Sequence, residues 1–240
     1  MDRNHSVIFF GSFGQYSADF LREICSKYAV KAVVTASPKP AGRHLKITPT
    51  LVEDFARSQN IPIFYDFKNL PACDFILVAG YGKLITESAI NLPKILAINF
   101  HPSLLPNYSG STPVEYALLN GETETGITFI KIAKQFDTGD IIYQEKVPIL
   151  ESDNRLTLYK KLFDLGAQKS LDLLSQDHFD LTPQNKTCLP AGRSKKLTRQ
   201  DGFIEYSQIN SPEAKIKQKA FTGFPGTWTI DPSGNRLKLS

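Results

Sequence analysis

The chain has 240 residues, 41% of them apolar, and 28 Lys/Arg against 24 Asp/Glu for a net charge of +4. That length buries one good core and part of a second, and the N-terminal run Val7-Ile8-Phe9-Phe10 is far too short for a signal peptide or a membrane span. Cys25, Cys73 and Cys188 show no paired spacing and His5, His44, His101 and His178 no metal-ligand spacing, which argues against a disulfide framework or a metal site and for free thiols in a reducing, cytoplasmic compartment.

Taken in chain order, short apolar runs alternate with amphipathic stretches. Strands are predicted at Val7–Phe10, Lys31–Thr35, Pro62–Tyr65, Phe75–Ala79, Ile95–Phe100, Gly126–Ile132 and Ile141–Pro148, with helical patterns at Ser17–Lys27 and Leu51–Gln59. This order predicts an α/β fold: an open, mostly parallel, Rossmann-like sheet with helices on both faces. Gly11-Ser12-Phe13-Gly14 follows the first strand but lacks a third glycine, and Val34-Thr35-Ala36 offers no acidic residue for a ribose, so a tight strand-to-helix turn fits better than a dinucleotide site. A long helix is predicted over about 154–175, with Leu158, Leu162, Phe163, Leu165, Leu171 and Leu174 as its apolar face.

A polar, Pro-containing stretch then reads as a linker, giving a catalytic domain over 1–182, a linker over 183–200 and a C-terminal segment over 201–240. In that segment Ser211-Pro212-Glu213 starts a helix that runs to about Phe221. Gly223-Phe224-Pro225-Gly226 breaks it, and two short strand-like runs follow around Pro232-Ser233-Gly234, a helix and β-hairpin that make an incomplete OB-like barrel. From Lys186 onward there are ten Lys/Arg against four Asp/Glu, while the rest of the chain carries 18 against 20. A basic tail behind a near-neutral body suits a polyanionic partner such as nucleic acid.

The chemistry concentrates at Asn99-Phe100-His101-Pro102. In a strand, Asn99 and His101 share one face while Phe100 points into packing, and Pro102 ends the ladder beside them. An amide donor next to a titratable ring, at the carboxyl end of a buried strand, suits chemistry on a carbonyl. Taken alone, an N-x-H pair is more often a polar strand end. Asp137, in the Gly-containing loop Phe136-Asp137-Thr138-Gly139-Asp140, adds a carboxylate to the amide and imidazole.

Asn99-x-His101-Pro-Ser-Leu-Leu-Pro106, Gly110-x-x-Pro113, Gly121, Thr125-Gly126-Ile127-Thr128 and Asp137-Thr-Gly-Asp140 together resemble the catalytic core of the folate-dependent formyltransferases. Pro40-Ala-Gly-Arg43 with Thr48-Pro49, Gly80-Tyr81-Gly82-Lys83, Lys196-Leu-Thr-x-x-Asp201-Gly202, and Lys219-Ala-Phe221 leading into Pro225-Gly226 resemble the methionyl-tRNA branch of that family. The resemblance spans nearly the whole chain. It implies 10-formyltetrahydrofolate as formyl donor, the initiator methionyl-tRNA as acceptor, and Asn99, His101 and Asp137 as a catalytic triad.

Formyl transfer requires a neutral amine to attack the formyl carbon, and the Asn99 amide and a protonated His101 can donate to the developing oxyanion. Asp137 would orient the ring and help take the amine's proton through water. By resemblance, the folate cleft is walled by Tyr81, Gly82, Lys83, Leu84 and Ile85, by Leu104, Leu105 and Pro106, and by main chain up to Asp140; the leucines and Ile85 are equally suited to ordinary core.

The loop bearing Lys39, Arg43, His44 and Lys46 corresponds by resemblance to the family loop that enters the tRNA acceptor arm, with Arg43 as its key arginine. Lys195, Lys196 and Arg199, then Lys215 and Lys219 on one helix face with Lys217 off it, would extend a phosphate-binding track. Two departures stand out. Ser109 replaces the family's usual arginine, and the sequence ends soon after Thr227-Trp228-Thr229, which implies a compact or C-terminally truncated form with weaker, more salt-sensitive tRNA binding. A monomer is expected. The main alternative is a sugar N-formyltransferase acting on a nucleotide-linked amino sugar; glycinamide ribonucleotide as acceptor fits the chain length less well. An RNA-binding module with a decayed catalytic domain is disfavoured because all three triad positions are present.

Overall fold

The computed structural model describes residues 5–41, 45–184 and 192–239. Its elements are β1 (Ser6–Phe10), α1 (Gly14–Cys25), β2 (Ala29–Val34), β3 (Lys39–Ala41), β4 (Lys46–Thr48), α2 (Leu51–Ser58), β5 (Ile63–Phe64), β6 (Phe75–Ala79), α3 (Glu87–Ile90) and β7 (Leu96–His101). They continue with β8 (Ser109–Gly110), α4 (Pro113–Leu119), β9 (Glu124–Lys131), β10 (Ile141–Pro148), α5 (Arg155–Leu173), β11 (Arg193–Ser194), α6 (Pro212–Ala220), β12 (Thr227–Ile230) and β13 (Arg236–Leu239). The chain divides into two compact units: Met1–His101 with Thr128–Gln144 and Phe163–Asn185, and Pro102–Ile127 with Glu145–Leu162 and Lys186–Ser240.

The main sheet has seven strands in the order β10-β9-β7-β6-β1-β2-β5. Strand β1 pairs parallel with β2 and β6, β6 with β7, and β2 with β5, whereas β9 runs antiparallel to β7. This is the expected α/β, mostly parallel architecture. The central strands β1 and β6 are buried at every position, which is why they read as unbroken apolar runs.

The first unit has a core on each face of the sheet. Ile8, Phe10, Val34, Ile76, Val78 and Ala97 form one, with Phe64, Phe67, Ile85 and Ile132 packed against it. The other is aromatic: Phe100 lies edge-on to Phe163 at 4.9 Å and packs on Phe20 at 5.2 Å and Phe129 at 5.4 Å. Helix α1 buries Ser17, Ala18, Phe20, Leu21 and Ile24 on one side, the spacing of a single helical face. In α5, Gly166 lies so close to Phe100 that a Cβ would come within 2.2 Å of its ring, so this position keeps the helix against the strand.

The β3–β4 pair, α3, β8, α4 and β11 lie outside the expectation. Strands β3 and β4 pair antiparallel, with Lys39 opposite Thr48 and Ala41 opposite Lys46; they are too short and too polar to produce a periodic signal. Helix α4 escapes a periodicity scan because it has only seven residues and buries a carboxylate, Glu115.

In the second unit that carboxylate accepts from Arg155 Nε at 2.6 Å and from the Tyr159 hydroxyl at 2.8 Å, all three residues buried, which joins α4 to the start of α5. Thr198 and Asp201 form a reciprocal capping box, a physical reason for the Lys196-Leu-Thr-x-x-Asp spacing. Ser211 caps α6 by accepting from Ala214 N at 3.0 Å, as its sequence predicts. The β12–β13 hairpin follows, with the Arg236 guanidinium 4.0 Å over the Trp228 ring. No described helix is long and apolar enough to cross a membrane.

Candidate active site

Strand β7, between β6 and β9, carries Asn99 and His101 at its carboxyl end. Asn99 faces Val78 on one side and Ile130 on the other, and His101 faces Thr128. The alternation holds: Ala97, Asn99 and His101 share a face, while Phe100 turns into the aromatic core behind them. Asn99 is half-buried and His101 buried. Beside them, the Thr128 hydroxyl accepts from Gln144 Nε2 at 2.9 Å.

Asp137 comes from the loop between β9 and β10. Its Oδ1 lies 3.6 Å from His101 Nδ1, with only 6% of the histidine side chain and 10% of the aspartate side chain exposed. That separation is within ion-pair range and longer than a direct hydrogen bond. The loop is fixed at its base, where Lys131 N donates to Asp140 O at 2.9 Å. Gly139 lies directly against the Lys131 carbonyl: a Cβ there would come within 1.7 Å of the oxygen. Asp137 itself has φ +57°, a left-handed conformation that Asp tolerates better than most residues and that turns its carboxylate toward the ring.

The structure therefore brings the acid, amide and imidazole together within one unit. It also shows a residue that the sequence did not single out. The Gln184 side-chain amide donates to the Asp137 carbonyl at 3.0 Å and to the Gly139 carbonyl at 2.6 Å. Gln184 is 47 residues from Asp137 in a stretch read as linker, so no local pattern marks it.

The residues expected around a folate are distributed as follows. Tyr81 packs its ring on Phe10 at 5.7 Å and Phe67 at 6.2 Å, and its buried hydroxyl has no hydrogen-bond partner among the described residues. Burial, with Asp66 nearby, pushes that phenol above its ordinary range, so it stays a neutral donor. Ile85 packs against the adjacent core; Gly82, Lys83 and Leu84 are exposed; Asp140 is half-buried. Leu104, Leu105 and Pro106 belong to the second unit, where Leu105 is buried and a Cβ on Gly126 would overlap Leu104.

Of the basic residues, Lys46 lies exposed on β4 and Lys39 exposed on the paired strand β3, and Arg43 and His44 lie outside the described residues. Lys195, Lys196, Arg199, Lys215 and Lys219 are exposed in the second unit, where Lys219 Nζ donates to Glu151 O at 2.6 Å. Lys217, off the shared face, is half-buried and donates to Phe203 O at 2.7 Å. Desolvation holds its ammonium below the usual lysine range, and its role is to tie α6 to the preceding turn.

The formyl transferase family profile matches residues 6–173. A methionyl-tRNA formyltransferase from Nitratiruptor sp. is 35% identical, the match covering 97% of this chain and 78% of that protein. One from Kosmotoga olearia is 36% identical over 93% of this chain and 75% of its own length. One from Listeria welshimeri is 40% identical, with 70% of this chain matched to 57% of that protein. Among solved structures, a 4-N formyltransferase from Francisella tularensis superposes with a TM-score of 0.71 at 20% identity, covering 98% of this chain and 96% of the other, a likeness of fold. With its matched profile, relatives matched over nearly all of this chain, and its acid, amide and imidazole in one unit, the chain belongs to the formyl transferase family, in the methionyl-tRNA formyltransferase group.

Proposed function

We propose that this chain transfers the formyl group of 10-formyltetrahydrofolate to the α-amino group of initiator methionyl-tRNA. The observation that carries the reading is the meeting of Asn99, His101 and Asp137, three groups suited to acyl transfer to an amine, in a chain whose relatives over most of its length are methionyl-tRNA formyltransferases. The residues present fit a formyl-folate. The orphaned Tyr81 hydroxyl is a buried polar group of the kind that a polar-edged ligand satisfies, and Tyr81, Gly82, Lys83, Leu84, Ile85 and Asp140 are offered by the same unit as the triad.

The cosubstrate supplies an activated formyl carbon. Asn99 donates an amide N–H to the formyl oxygen as negative charge grows there, and His101, with Nδ1 turned to Asp137, donates from Nε2 when protonated. Asp137 accepts the amine's proton through a water and returns it to the departing folate nitrogen, so that a C–N bond forms as one breaks and no net proton is lost. The burial of His101 and Asp137 strengthens these interactions relative to water. Lys39 and Lys46 in the first unit and Lys195, Lys196, Arg199, Lys215 and Lys219 in the second supply cations for tRNA phosphates.

The test is formyl transfer to methionyl-tRNA by the full chain and its variants. Asn99→Ala and His101→Ala are expected to lower kcat by roughly 10²–10³ while leaving 10-formyltetrahydrofolate binding near wild type. Wild-type turnover in either variant would remove the proposed site.

A further inference from the structure

We infer that Gln184 is a positioning residue for formyl transfer, holding the main chain on either side of Thr138 and so the carboxylate of Asp137. The inference rests on the reading of Asp137 as proton acceptor. Two carbonyl oxygens, those of Asp137 and Gly139, converge on one atom of the Gln184 side chain at 3.0 and 2.6 Å. That atom is the amide nitrogen, because an oxygen there would face two acceptors, and both of its N–H groups are used.

The placement of Gln184 is itself built. Thr182 pairs with Ile141 in both directions, N to O at 2.9 Å and O to N at 2.8 Å, immediately after the loop that carries Asp137. Pro183 has no N–H, so main-chain pairing stops there and the next side chain takes over. What it holds is an unfavourable conformation: Asp137 at φ +57° is a non-glycine residue in the left-handed region. Without the clamp, the two carbonyls turn to water and Asp137 relaxes toward ordinary backbone, moving its carboxylate away from His101.

A clamp that served only folding would not couple to Asp137, and a double-mutant cycle separates the two roles. In the full chain, with 10-formyltetrahydrofolate and initiator methionyl-tRNA, Gln184→Ala is expected to lower kcat roughly ten-fold with KM for the tRNA unchanged. Gln184→Met, which keeps the volume and removes both donors, is expected to match it. In an Asp137→Asn background, where the proton acceptor is already lost, the same substitutions are expected to cost no more than about two-fold. Wild-type kcat in Gln184→Met, or an equal fold loss in both backgrounds, would overturn the role given to Gln184. Wild-type turnover in Asp137→Asn alone would instead remove the proposed role of Asp137, and that of Gln184 with it.

Discussion

At the scale of single residues, the site depends on close approaches as much as on reactive groups. Gly139→Ala places a methyl within 1.7 Å of the Lys131 oxygen, so the loop must shift. The expected outcome is a kcat loss on the order of 10²-fold from a misplaced Asp137, with an unfolding temperature that falls far less than the activity does. An alanine variant with wild-type kcat would show that this loop tolerates displacement. The thiols are a contrast. Burial pushes both Cys25 and Cys73 up to about 11, so each stays protonated at pH 8 and should alkylate slowly in the folded chain and quickly in denaturant, as site-resolved mass spectrometry would read. Strand period put Asn99 and His101 on one face, and the family resemblance joined Asp137 to them, whereas Gln184 was not legible, because its partners are distant in sequence and its bonds go to main-chain carbonyls.

At the scale of elements, the central strands β1 and β6 and the longer helices were legible because burial on both sheet faces leaves continuous apolar runs, and α1 and α5 are long enough to show a face. The β3–β4 pair was not, since an exposed two-stranded element needs no apolar pattern, and Glu115 disguised α4 by burying a charge that the tertiary partners Arg155 and Tyr159 satisfy. One junction carries a pH signature. Asp74 ties the start of β6 to β1 by accepting from Ser6 N at 2.8 Å and Ser6 Oγ at 2.7 Å, and the Ser6 N–H holds its carboxyl below the ordinary 3.8. A carboxyl lowered on folding contributes stability that is present above its unfolded value and is lost as pH falls through its folded value. The acid limb of the stability curve below about pH 4 should therefore flatten in Asp74→Asn, measured by denaturant unfolding at several pH values. A limb as steep as wild type would show that Asp74 contributes nothing to acid sensitivity.

At the scale of the whole molecule, the proposed triad accounts for acyl transfer to an amine but does not choose the amine. The acceptor is argued from the relatives and from exposed cations in both units. Phosphate contacts make binding fall with salt, so tRNA affinity should drop steeply between 50 and 200 mM salt, and removing Lys195, Lys196 or Arg199 should lower the slope by about one each. The most direct measurement is transfer of labelled formyl from 10-formyltetrahydrofolate by the full chain to initiator methionyl-tRNA, a nucleotide-linked amino sugar and glycinamide ribonucleotide in parallel. The expected result is formylmethionyl-tRNA, formed roughly 10²–10³-fold more slowly by His101→Ala, with neither small acceptor labelled. Labelling of the amino sugar or of glycinamide ribonucleotide, with methionyl-tRNA untouched, would contradict it.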